Sequence, residues 1–146
     1  MIDKSIIGRQ YASFSVEIEK RWLRSYAHAI GLTDPIYLDE AAARTAGYRA
    51  LPAAPTFPFA ILMEAGQSFK LLEELGIDKR RAMHAEQSFT YQRDICAGDV
   101  LTGQQEVVDV YDKKGGALEF LVTRTRLANA GGEPVCELRT TVVVRN

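Results

Sequence analysis

The chain has 146 residues, 47% hydrophobic and 25% charged, which is the size and composition of one globular domain with a substantial core rather than a disordered segment. Its formal net charge of −1, with basic residues scattered outside Lys79-Arg80-Arg81, provides no electrostatic footprint for nucleic acid or an anionic membrane surface. The opening MIDKSIIGRQ lacks the apolar core of a signal peptide, no run is long enough to span a bilayer, and Cys96 and Cys136 have no second Cys or His at metal spacing. The expectation is a cytoplasmic chain with reduced thiols, no metal and no cofactor.

Residues 11–19 alternate, with Phe14, Val16 and Ile18 apolar and Ser15, Glu17 and Glu19 polar, the period of a half-buried strand. Trp22, Leu23, Tyr26, Ala27 and Ile30 then recur at helical spacing, and Gly31 stands where a helix takes a left-handed stop. In the stretch GLTDPIYLDE that follows, Asp39 can cap a short helix over 40–46. Pro52, Pro55 and Pro58 keep the next segment irregular.

Residues 59–75 read as one long apolar helix with Ile61, Leu62, Ala65, Phe69, Leu72 and Leu75 on a shared face, closed by Gly76 and weakened at Gly66, where it can break in two. Beyond Lys79-Arg80-Arg81 come four strand-like runs, 84–93, 100–111, 117–129 and 134–145, separated by Gly98-Asp99, Lys114-Gly115-Gly116 and Ala130-Gly131-Gly132. Gly-Gly between such runs is hairpin chemistry, so the last three form an antiparallel meander. With no internal repeat or linker, residues 1–146 make one α+β domain. One face of its sheet needs a cover, and the helix over 59–75 is the element apolar enough to provide it. An antiparallel sheet wrapped around a long central helix is the hot-dog architecture. Its open edges predict a dimer.

Five motifs then stand in register: Asp34-Pro35-Ile36-Tyr37, Leu38-Asp39-Glu40-Ala41-Ala42-Ala43, Ala54-Pro55-Thr56-Phe57-Pro58, Glu86-Gln87-Ser88-Phe89 and Ala97-Gly98-Asp99. Together they resemble the N-terminal MaoC-like dehydratase domain, the family of (R)-specific enoyl-CoA hydratases and (3R)-hydroxyacyl-ACP dehydratase subunits. The resemblance implies an acyl-CoA or acyl-ACP thioester as ligand, and an Asp and a His that hold the water added to or lost from the acyl chain. It also implies that amides at the start of the central helix polarise the acyl carbonyl. Position by position, the family's Asp falls on Leu32, its Asn on Asp34, its Pro on Pro35 and its His on Tyr37. Leu moves no proton, and Tyr with an ordinary pKa near ~10 is a poor base at neutral pH.

The remaining catalytic candidates are Asp34, as a displaced acid or simply as the turn residue before Pro35, and Tyr37. His84 is a third, either a relocated base or a structural residue at a strand start. Thr56, Phe57 and Phe59 at the helix start and Glu86 and Gln87 on the strand are the candidate substrate-binding residues, with strand alternation as the plainer account of the last two. Tyr91, Tyr111 and Phe120 lack interleaved basic residues, so packing explains them better than base stacking. The resulting expectation is a hydratase/dehydratase-family chain without the catalytic pair, working beside a catalytic partner as a heterodimer, or homodimeric alone. The alternatives are an autonomous hydratase with relocated residues and a hot-dog thioesterase, between which fold alone does not choose.

Overall fold

Alternating side chains and glycine-marked turns build one antiparallel sheet of five strands. The computed structural model describes the backbone of residues 1–146 and every side chain except that of Ser68. The strands are β1 (Phe14–Glu17), β2 (Ala82–Tyr91), β3 (Val100–Lys113), β4 (Leu118–Ala128) and β5 (Pro134–Arg145), in the spatial order β1-β3-β4-β5-β2. The last three form the expected meander. The second strand does not pair with the third. It crosses to the far side of β5, leaving β2 and the short β1 as the two edges.

Helix α1 (Lys20–Ala29) follows β1, and α2 (Glu40–Thr45) is capped by Asp39, whose Oδ1 accepts the Ala42 N–H at 2.7 Å. The single helix expected over 59–75 is two helices, α3 (Phe57–Glu64) and α4 (Gln67–Glu74). Gly66 joins them in the left-handed conformation, at φ 67° and ψ 9°, which ends one helix and re-phases the next. The apolar face is re-phased with it. Ile61, Leu62 and Leu72 are buried as expected, but Phe69 is 49% exposed and Leu71 takes the inward place.

The concave face of the sheet and these helices enclose two apolar clusters. Phe57, Ile61 and Leu62 of α3 pack with Leu101, Leu127 and Leu138. Leu71 and Leu72 of α4 pack with Val107, Val110 and Leu121. A sheet curled on a broken central helix is the hot-dog architecture. Among the described residues, no helix is long and apolar enough to cross a bilayer.

Edge strand β1 is fixed by an aromatic lying over a glycine. Phe14 pairs with Gly103 across the ladder, and a Cβ at Gly103 would meet Phe14 Cζ at 2.2 Å. The bare glycine is therefore what lets the ring lie flat on β3. Gly103→Ala is expected to push Phe14 off the sheet and lower stability by about 1–3 kcal/mol, the usual cost of overpacking. Urea unfolding checks the size, and amide exchange should show the loss of protection concentrated in β1.

Candidate active site

The loop between α1 and α2 is tied down by its own backbone and by one carboxylate. The Leu32 N–H bonds the Ala27 carbonyl at 2.9 Å, closing α1. Asp34 Oδ1 accepts the Ile36 N–H at 3.1 Å and caps the 3-10 turn Pro35–Tyr37. Asp34 thus takes the turn role that a residue before Pro favours. Tyr37, half-buried, lines a recess of about 170 Å³ with Tyr48, Tyr91, Asp94 and the segment carrying Pro52, Ala53 and Pro55. Burial, then the neighbouring Tyr48, Asp34 and Asp94, pushes the Tyr37 hydroxyl above its ordinary pKa. It stays a neutral phenol.

Proline leaves the segment before α3 few backbone donors of its own, so it borrows order from the loop after β2. The Ala53 N–H bonds Ile95 O and the Ala97 N–H bonds Leu51 O, each at 2.8 Å. Beneath them Asp99 accepts both Arg49 guanidinium nitrogens at 2.6 Å and the Cys96 N–H at 2.9 Å, a bidentate, charge-assisted clamp. Two tyrosines complete the hold. Tyr91 donates its hydroxyl proton to Pro55 O at 2.8 Å, and Tyr26 Oη lies 2.8 Å from Thr56 Oγ1. Burial raises the Tyr91 pKa strongly, which keeps that donor protonated.

The start of α3 differs from the expectation of free amides. The Phe57 N–H bonds Ala54 O at 2.9 Å, Pro58 has none, and the Phe59 N–H bonds Thr56 O at 3.2 Å. The amides of this first turn are occupied within the chain, and the Thr56 hydroxyl is engaged by Tyr26. Phe57 is a core residue, fully buried and edge-on to Trp22 and Tyr26 at 4.6 and 5.3 Å, so its side chain has no surface left for a ligand. Phe59, by contrast, is only partly buried and forms the wall of a second cavity.

His84 belongs to that second cavity. Its ring stacks on Phe59, with centroids 4.8 Å apart and planes 18° from parallel, and its Nε2 lies 3.3 Å from Gln87 Oε1. A register shift between His84 and Glu86 re-phases β2, so Gln87 follows His84 on the concave side and Glu86 is exposed. The fold brings His84, Gln87 and Phe59 together and places Tyr37 in the separate recess. Tyr48, Asp94 and Arg49 carry no signal in the sequence, while Tyr91 reads there as a packing residue and Asp99 only as part of the Ala97-Gly98-Asp99 motif. The Pro-rich segment was the available signal, because such a segment needs outside partners for its backbone.

Residues 5–138 match the family model described as "FAS1-like, dehydratase domain region". The chain belongs to this family. A UPF0336 protein of Saccharopolyspora erythraea is 35% identical over 145 residues, 99% of this chain and 92% of that one. Among solved structures, a chain of the HadBC (3R-hydroxyacyl-ACP dehydratase) complex from Mycobacterium tuberculosis superposes with a TM-score of 0.81 at 25% identity, covering 94% of this chain and 96% of that one. A MaoC-like dehydratase superposes with a TM-score of 0.87, also at 25% identity, covering 97% of this chain and 43% of that one. The hot-dog dehydratase family named from the motifs is thus the one the chain joins.

In this dehydratase-region chain the Asp99 clamp should carry more of the loop's stability than the tyrosine above it. Asp99→Ala is expected to cost about 1.5–3 kcal/mol, because hydrogen bonds to a charged group are lost together, and Tyr91→Phe about 1 kcal/mol for one neutral bond. Urea midpoints of the two variants check the order.

Proposed function

We propose that the chain is an acyl-thioester-binding subunit of a hydratase/dehydratase acting on 3-hydroxyacyl or 2-enoyl groups carried by CoA or ACP, with the catalytic Asp and His supplied by a partner chain. The family provides the reaction type. The observation that carries the subunit reading is Tyr37. Leu32 and Tyr37 fill the positions at which the family's Asp and His are expected, and Tyr37 is held protonated in its recess. A neutral phenol offers a hydrogen bond but takes no proton from water near pH 7. Asp34 is committed to its turn, and His84 lines a different cavity. Neither placement supports a relocated acid–base pair.

The partner's place is suggested by β2, a ten-residue strand that ends the sheet with one edge open. Such an edge is satisfied by pairing with a second chain. The Mycobacterium tuberculosis neighbour comes from a complex of dehydratase subunits, which supports a heterodimer here. A homodimer is the expected state of the chain purified without its mate. Phe59 and Gln87, on facing elements, would border the acyl chain, with Phe57 supporting them from the core.

The test is crotonyl-CoA hydration, followed by loss of the enoyl absorbance, for the chain alone and coexpressed with a small MaoC-type chain retaining Asp and His. The chain alone is expected near background, since general acid–base assistance is worth roughly 10²–10⁴ in rate, and the pair is expected to be active. Leu32→Asp with Tyr37→His together should raise the activity of the chain alone, and either change singly should do little. Robust activity of the unmodified chain, lost on His84→Ala or Asp34→Ala, would overturn the subunit reading.

A further inference from the structure

The two apolar clusters are divided by a belt of polar side chains crossing the concave face of the sheet. Gln105 on β3, Thr123 and Thr125 on β4, and Thr140 on β5 are each at most 5% exposed. Cross-strand pairing puts Thr123 opposite Thr140 and Thr140 opposite Gln87 of β2. Gln105 Nε2 donates to Thr123 Oγ1 at 3.3 Å, Thr140 Oγ1 donates to Gln87 Oε1 at 2.8 Å, and His84 Nε2 closes the line on the same Gln87 oxygen. Gln105 Oε1 is buried and has no hydrogen-bond partner among the described residues. The break at Gly66 separates the helix that covers one cluster from the helix that covers the other, so neither helix runs unbroken across the belt.

Burying polar groups in this way costs stability unless each finds a partner. Pure packing would favour Val or Leu at these inward positions, as the neighbouring Leu101, Leu121, Leu127 and Leu138 illustrate. At its β2 end the belt opens into a cavity of about 150 Å³. Phe59, Met63, Leu72 and Val142 make apolar walls, Thr140 and His84 supply hydrogen-bonding groups, and Lys79, ion-paired with Glu73 and lying over the Phe69 ring, completes the lining. A cavity of this size takes a guest about as large as benzene. It is apolar on the sides and hydrogen-bonding at one end, which fits the terminus of a carbon chain better than a headgroup.

We infer that this cavity is the distal subsite of the acyl-binding groove and selects acyl chains bearing a hydrogen-bonding oxygen, hydroxyl or keto, near their far end. The inference rests on the acyl-thioester reading above. His84, Gln87, Phe89 and Tyr91 follow one another along the concave side of β2, so the cavity and the Tyr37–Tyr91 recess lie at the two ends of one strand, roughly 20 Å apart at the usual rise per residue. An acyl chain entering past Tyr91 would lie between α3 and β2 and present its far end to Thr140 and His84. A plain alkyl terminus there leaves those groups without a ligand partner. An oxygen on the chain restores one.

The test is the binding of a length series of ω-hydroxyacyl-CoA thioesters against plain acyl-CoA thioesters of the same lengths, measured by calorimetry on the full chain. At the length that reaches the cavity, the hydroxylated ligand is expected to bind about tenfold tighter, the worth of one or two hydrogen bonds. Thr140→Val and His84→Phe should each shrink that ratio toward one. The His84 variant serves if the buried threonine variant fails to fold. Equal binding of both ligand series by the unmodified chain, or a preference that survives both substitutions, overturns the subsite alone. Binding of neither series overturns the acyl-thioester reading and the subsite with it. Met63→Trp, which fills the cavity, should abolish the preference. If it instead weakens only subunit association, the cavity holds a partner's side chain and the proposal falls.

Discussion

One left-handed residue determines how the sheet is covered. The concave face needs an apolar lid, and a straight helix would present one continuous stripe along one line. Gly66 replaces that helix by two of eight residues each. Phe57, Ile61 and Leu62 of α3 seal one end of the sheet, and Leu71 and Leu72 of α4 seal the other. A residue with a Cβ at this φ costs roughly 1–2 kcal/mol, so glycine is the residue that makes the division tolerable. The paired clusters and the exposure of Phe69 follow from that re-phasing.

The same division separates the two cavities. The recess around Tyr37 depends on the Pro-rich segment before α3, held by Asp99, Tyr91 and Tyr26. The cavity around His84 depends on α3, α4 and the bulged part of β2. Both lie along β2, the strand whose outer edge is open. A partner pairing with that edge would adjoin both places at once, which suits a site assembled from two chains.

Much of this fold was legible in the sequence because it follows from periodicity and turn chemistry, which are local. Alternation at Phe14, Val16 and Ile18 marked β1, the Gly-Gly pairs marked the meander, and Gly66 was visible as a breaking point. The phase after the break was not legible. Placing Phe69 on the buried face assumed a continuous 3.6-residue period, and a single αL residue cancels it. Strand order was hidden too, since β2 crosses to β5 and nothing local to the strand says so. The candidate site was legible in its members but not in their roles. Thr123 and Thr140 look like ordinary strand residues, because Thr suits strands on either face. Only the register reveals that they face inward and meet Gln87. The Phe57 amide reads as free at a helix start, but the turn before it brings Ala54 O into place to accept from it.

The electrostatics of the Tyr37 recess bear most directly on how work is divided in such an assembly. Acid–base catalysis needs a group that titrates near the working pH, and burial with acidic neighbours moves a phenol away from that range. Tyr37 and Tyr91 are both shifted upward, chiefly by desolvation. The raised phenols therefore keep one protonation state across physiological pH and hold their hydrogen bonds constant, Tyr91 to Pro55 O among them. A constant, neutral pair of hydroxyls is well suited to shaping a binding groove. For the same reason it is poorly suited to moving the proton that hydration requires.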